Sequence, residues 1–162
     1  MTPVQPPQKG MLPSLLDRLL DPESAGTALL TGYSVEKMKD AVRRDLEELL
    51  NTVTPHTRFP DRFPETRDSV VTYGLPDLAS AEGLTGQQRD LLAVVIRQAV
   101  ERFEPRLKRV RVTVLKAEAD AVRGAVKFLV EAKLAVDPSP EVHFDTVLNM
   151  GTGKYEVNPT RV

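Results

Sequence analysis

The chain has 162 residues, with 22 Lys+Arg against 23 Asp+Glu, a net charge of −1 and no cysteine. That balance argues against a nucleic-acid binder or a polybasic membrane-surface protein driven by overall charge. The missing thiols exclude disulfide frameworks, thiol nucleophiles and Cys-ligated zinc. The longest apolar run, Leu91–Ile96, is far short of the roughly 20 residues of a membrane span. The first thirty residues lack a charged-then-apolar signal pattern, so the expected location is cytoplasmic. A chain of this length can bury a substantial core; with no tryptophan and 5% aromatics, that core has to come from Leu, Val and Ala.

Residues 1–11 hold Pro3, Pro6 and Pro7 among polar residues and read as a flexible tail. The rest, 12–162, is expected to form one domain. Leu12, Leu15, Leu16, Leu19 and Leu20 recur at helical spacing between Pro13 and Pro22, predicting a short apolar helix over 13–20. At that length it must dock on something. Ser34 is an N-cap candidate, with Glu36 in the first turn. Val35, Met38, Val42, Leu46, Leu49 and Leu50 then mark a buried face, and Lys37, Lys39, Arg43, Arg44, Glu47 and Glu48 a solvated one. Asp40 and Arg44 have the spacing of an i, i+4 pair.

Pro55, Pro60 and Pro64 make 52–68 an irregular loop. It contains the tandem Arg58-Phe59-Pro60-Asp61, Arg62-Phe63-Pro64-Glu65, whose phenylalanines are expected to fold back on the domain. Ser69-Val70-Val71-Thr72-Tyr73 reads as a strand, ended by a turn at Gly74-Leu75-Pro76-Asp77. Thr85 and Gln88 form a capping box. Leu92, Val95, Ile96, Ala99, Val100 and Phe103 follow as a wide apolar stripe, and Pro105 ends the helix. Beyond Pro105 the period becomes two. Strands are predicted around Val110–Val114, Phe128–Leu134 and Val142–Leu148, and, past the Gly151-Thr152-Gly153 turn, at Tyr155–Val157. The short connections imply an antiparallel meander. The expected class is α+β, with N-terminal and central helices on one face of a C-terminal sheet.

Motifs for chemistry are few. There is no Walker loop, no G-x-G-x-x-G and no G-x-S-x-G, and His56 and His143 lack metal-ligand spacing. No cofactor, metal or catalytic residue is expected. Glu101 and Glu104, with Asp77 or Asp145 as distant partners, are the acids a glycoside hydrolase could use; the lack of tryptophan speaks against a sugar-stacking cleft. The basic run Arg106–Arg111 has no interleaved aromatics for nucleotide stacking. The distinctive local feature is Glu104-Pro105-Arg106. A carboxylate at a helix C-terminus opposes the dipole and wants a cation. A rigid proline holds Arg106 two residues away, as a brace or as a charged knob for a protein partner.

Taken in order, LLDRLLDP (15–22), SVEKMKDAVRRDLEELLNT (34–52), SVVTYGLPDL (69–78), FEPRLKRVRV (103–112), KFLVEAKL (127–134) and FDTVLNMGTGKYEV (144–157) resemble the TssE family. That family is the small baseplate subunit of type VI secretion systems and is similar to the lysozyme-like wedge protein of contractile-tailed phage. The resemblance implies a non-enzymatic part that links wedge to sheath and initiates sheath polymerisation, in a cytoplasmic baseplate docked at the inner-membrane complex. It implies TssF, TssG and TssK as wedge partners and TssB and TssC as sheath partners, with no nucleic acid and no membrane insertion. It carries the Glu-Pro-Arg motif onto Glu104, Pro105 and Arg106 as partner contacts, and predicts that Arg106→Ala blocks baseplate incorporation while sparing the fold. The sheath is expected to join by β-augmentation, at the 142–149 or the 154–158 strand. The alternatives are a wedge subunit of a phage or phage-tail-like particle and, more remotely, a peptidoglycan hydrolase using Glu104.

Overall fold

The computed structural model describes residues 13–20, 33–54, 63–67, 69–77, 84–115 and 124–160. The tail expected at 1–11 lies outside them, as does Phe59. In chain order the elements are helix α1 (Leu15–Leu20), α2 (Val35–Asn51), the single turn α3 (Pro64–Arg67), a 3-10 turn (Val70–Thr72) and α4 (Gly86–Phe103). Strands β1 (Leu107–Leu115), β2 (Ala125–Leu134), β3 (Glu141–Asn149) and β4 (Lys154–Pro159) follow. The strands form one antiparallel sheet in sequential order. Helix α2 lies against β4 and α4 against β1, which gives the expected α+β arrangement.

The helix boundaries follow from local chemistry. The Ser34 hydroxyl accepts from the Lys37 N–H (3.2 Å) and opens α2. The helix closes where Thr52 turns its hydroxyl back onto the Glu48 carbonyl (2.7 Å). At α4 both halves of the Thr85/Gln88 capping box form. Met38, Val42, Leu46 and Leu49 of α2 and Leu92, Ile96 and Val100 of α4 are buried against Phe128, Val130 and Phe144 of the sheet.

Three local expectations change. The β-rich Val70-Val71-Thr72 forms a 3-10 turn, not a strand. Ser69 caps it by accepting from Val71 N–H (3.3 Å), a side-chain bond in place of a ladder, for which the described residues offer no neighbouring strand. Its one extended contact is the isolated bridge Val53–Leu75. There Gly74, at φ 111°, lets the backbone pass so close to Thr52 that a Cβ would sit 2.3 Å from the Thr52 carbonyl oxygen. Second, Pro64 opens a helical turn inside the loop expected at 52–68, and Phe63 just before it is exposed. Third, Arg44 pairs with Asp45 and Asp17 in place of Asp40.

In β1 the inward positions are Leu107, Val110, Val112 and Val114, a spacing of three and then two. A single extra residue reconciles them. The register shifts between Lys108 and Arg111, and Arg109 occupies the left-handed region at φ 55°. The bulge returns Val110 to the face that Leu107 occupies.

Thr146 sits in the core at 1% exposure, and its hydroxyl has no partner among the described residues. A buried donor left unmade is costly, so Thr146→Val, close to isosteric, should raise unfolding stability by about 1 kcal/mol. Urea denaturation checks this; a loss of stability would mean that the hydroxyl is bonded.

Candidate protein-contact site at the helix-to-strand corner

Glu104 is the C-cap of α4, its N–H donating to the Val100 carbonyl (2.9 Å). Pro105 supplies the second position of the turn that follows, which closes with Leu107 N–H to the Glu104 carbonyl (3.1 Å). The Glu104 side chain folds over the same turn. Its Oε1 accepts from the Arg106 backbone N–H (3.1 Å) and from Arg106 Nε (2.6 Å), and its Oε2 from Arg106 Nη2. The cation that a C-terminal carboxylate requires is therefore its near neighbour, held in fork geometry. Glu104 is 4% exposed, and the Arg106 side chain 22%. Pro105 stands exposed between them.

The corner reaches further than the motif. Arg106 Nη2 also donates to Asp45 Oδ2 of α2 (2.6 Å), and Asp45 Oδ1 accepts from Arg44 Nε (3.0 Å) and Nη2 (2.6 Å). Arg44 in turn meets Asp17 Oδ1 of α1 at 2.7 Å, and Asp17 Oδ2 accepts from the Ser14 hydroxyl (2.8 Å). Charges alternate along Glu104, Arg106, Asp45, Arg44 and Asp17, from the turn after α4 across α2 to α1. Burial opposes the Arg106 charge, but hydrogen bonds and attraction from Glu104 and Asp45 overcome it and hold the guanidinium protonated more firmly than usual. Nothing in the local pattern marked Asp45 or Asp17. Asp45 comes from 61 residues away along the chain, and Asp17 lies among leucines.

Helix α1 docks in an unexpected sense. Asp17 is buried, whereas Leu16 and Leu19 are 45% and 76% exposed. The Asp17–Arg44 ion pair faces the domain, while Leu16 and Leu19 do not. Ser14 and Leu16 form one wall of a cleft of about 480 Å³ whose other walls include Leu49, Tyr73, Phe103, Pro105 and Arg106. Tyr73 and Phe103 pack edge to face, centroids 5.3 Å apart. Burial raises the Tyr73 hydroxyl pKa, and the negative charges of Glu48, Asp45 and Glu104 push it further up against the opposing Arg106. A larger cavity, about 890 Å³, lies elsewhere, between the end of α2, Leu75–Asp77 and the β3–β4 hairpin, and none of Glu104, Pro105 and Arg106 lines it.

The family match rests on the segment that carries this corner: residues 36–139 match the baseplate wedge protein gp25 family, more than half of the chain. The chain belongs to that family. A search of curated proteins finds no match. As a gp25-family protein it is a baseplate wedge component, and other baseplate components are its partners. The family is structural. Of the acids considered for hydrolysis, both Glu104 oxygens are held by Arg106, Glu101 pairs with Arg97 (3.0 Å), Asp77 is exposed, and Asp145 lies on the sheet face away from the helices. Among the described residues no cluster of His, Asp or Glu could hold a metal ion. His143 sits 3.9 Å from Glu131 on that open sheet face, and His56 is outside the described residues. No helix of the described residues is long and apolar enough to cross a membrane.

The Asp17–Arg44 pair makes α1 docking dependent on pH. Burial alone would raise the Asp17 pKa; the Ser14 hydroxyl and Arg44 outweigh it and leave it below the ordinary value. A lowered carboxylate pKa in the docked state means that the contribution is fully present at neutral pH. It is lost as pH falls through the lowered value, below about 4. Protection factors over residues 14–20, each referred to the intrinsic exchange rate at the same pH, should therefore hold at pH 5–8 and fall in acid, and Asp17→Asn should lower them at neutral pH. Equal protection in the variant would show that other contacts hold the helix.

Proposed function

We propose that this chain is a structural baseplate subunit of a type VI secretion system that links the wedge to the contractile sheath and initiates sheath polymerisation. The match to the baseplate wedge family over residues 36–139, which includes the corner, carries the reading. The wedge partners are TssF, TssG and TssK, and the sheath partners TssB and TssC. The site of action is a cytoplasmic baseplate docked at the inner-membrane complex. The protein assembles and does not catalyse.

Within the corner, Pro105 and the outer part of Arg106 are the contact surface, and Glu104 is the positioning residue behind them. The support is their exposure: Glu104 is buried, while Pro105 and part of Arg106 are not. This division of labour alters the effect foreseen for Arg106→Ala. Deleting the guanidinium leaves Glu104 buried without its counter-charge, so the variant should lose about 3 kcal/mol of stability. Arg106→Lys keeps a cation beside Glu104 but loses the planar fork, and is the better probe of a contact.

Affinity capture of the tagged protein from its native cytoplasm, read by mass spectrometry, tests the reading. Wild type should recover wedge and sheath proteins, and Arg106→Lys should recover far less of the wedge while losing less stability than Arg106→Ala and staying folded at the temperature of the assay. Equal recovery by both would reduce the corner to a fold brace. Recovery of phage-tail proteins would move the chain to a phage or phage-tail-like particle, and recovery of no baseplate or sheath protein would overturn the assignment.

A further inference from the structure

The two edges of the sheet are not equivalent. In an antiparallel ladder alternate residues bond to one neighbour and the residues between them face away. Thr160 N–H donates to the His143 carbonyl (3.1 Å) and fixes the phase of β4, so Tyr155, Val157 and Pro159 face outward. Those outward groups are already taken by α2. Asn51 donates to the Tyr155 carbonyl (2.8 Å) and accepts from its N–H (2.9 Å). Glu47 accepts from Val157 N–H (3.1 Å), and Arg43 donates to the Val157 carbonyl (3.4 Å). Pro159 has no N–H to offer. The spacing suits the task. Four helical residues rise about 6 Å, close to the roughly 6.7 Å of two strand residues. Three side chains at i, i+4 and i+8 thus replace a fifth strand.

At the other side, Met150 N–H donates to the Gly124 carbonyl (2.7 Å), which directs Lys127, Leu129 and Glu131 of β2 toward β1. Their partners are Leu115, Thr113 and Arg111, so Val112 and Val114 face outward. Among the described residues no strand or side chain covers that backbone. The Val112 and Val114 side chains are only half-buried beneath α4, and Lys108 and Arg111 project from the open face.

Resting on the proposed sheath role, we infer that strand addition occurs at β1, and that the incoming segment belongs to another protein and alternates apolar with acidic residues. Its apolar side chains complete the half-covered row beside Val112 and Val114. Its carboxylates meet Lys108 and Arg111. A second copy of β1 is disfavoured, because self-pairing brings cationic positions into proximity. The sealed β4 makes the addition one-sided.

The probe is an eight-residue peptide alternating valine and glutamate, with a valine–lysine peptide as control, added to the full chain and followed by backbone amide NMR. The glutamate peptide should slow exchange at Val112 and Val114 and leave Tyr155 and Val157 unchanged. Lys108→Glu with Arg111→Glu should invert the preference by at least about fivefold in favour of the lysine peptide, a swap that loss of folding cannot imitate. Protection at Tyr155 and Val157, protection by neither peptide, or self-association of the free chain through Val112 and Val114 would overturn the inference. The affinity capture above reads the sheath role independently of this result.

Discussion

A sheet of four strands in sequence order has two edges, and every outward N–H and C=O on them has to be satisfied by protein or by water. Here one helix settles one edge. Arg43, Glu47 and Asn51 look in sequence like part of a solvated helical face, yet they hold the outer backbone of Tyr155 and Val157. That contact fixes how α2 sits on the sheet and closes β4, and among the described residues β1 is the edge left without a neighbour. A strand edge left open is ordinarily an aggregation hazard. Under the proposed role in sheath assembly it becomes the surface for strand addition.

The neighbouring residues of α2 organise the corner. Arg44 and Asp45 continue the Glu104–Arg106 pair toward Asp17, so one helix carries both the strand-like cap and the centre of the charge relay. The glutamate that the helix dipole disfavours at the end of α4 becomes the group that aims Arg106. A buried ion pair of this kind is weak evidence for stability but good evidence for a fixed geometry. A fixed arginine beside an exposed proline is what a protein contact needs.

Much of this fold was legible. The 3.6 period located α2 and α4, Ser34 and Thr85–Gln88 marked their starts, and alternation after Pro105 located the strands. The pairing of Glu104 with Arg106 followed from local electrostatics. What the sequence hid was long-range or decided by competition. Asp45 joins the corner only because α2 packs beside it. Val70–Thr72 has strand-forming residues but no strand beside it. The burial of Asp17 beside exposed Leu16 and Leu19 was not legible either, because its partner Arg44 lies on another helix. Of the two strands expected as the edge, 142–149 is interior because β3 is paired on both sides, whereas 154–158 is an edge strand whose Tyr155 and Val157 backbone groups are bonded by α2.

Among the described residues the sheet is sealed at β4 and open at β1. Residue-resolved amide hydrogen exchange of the isolated full-length chain at neutral pH tests it most directly. The account predicts that Tyr155 and Val157 exchange as slowly as the amides of central β3, whereas Val112 and Val114 exchange orders of magnitude faster. Fast exchange at Tyr155 and Val157, or protection of Val112 and Val114 in the free chain, would contradict it.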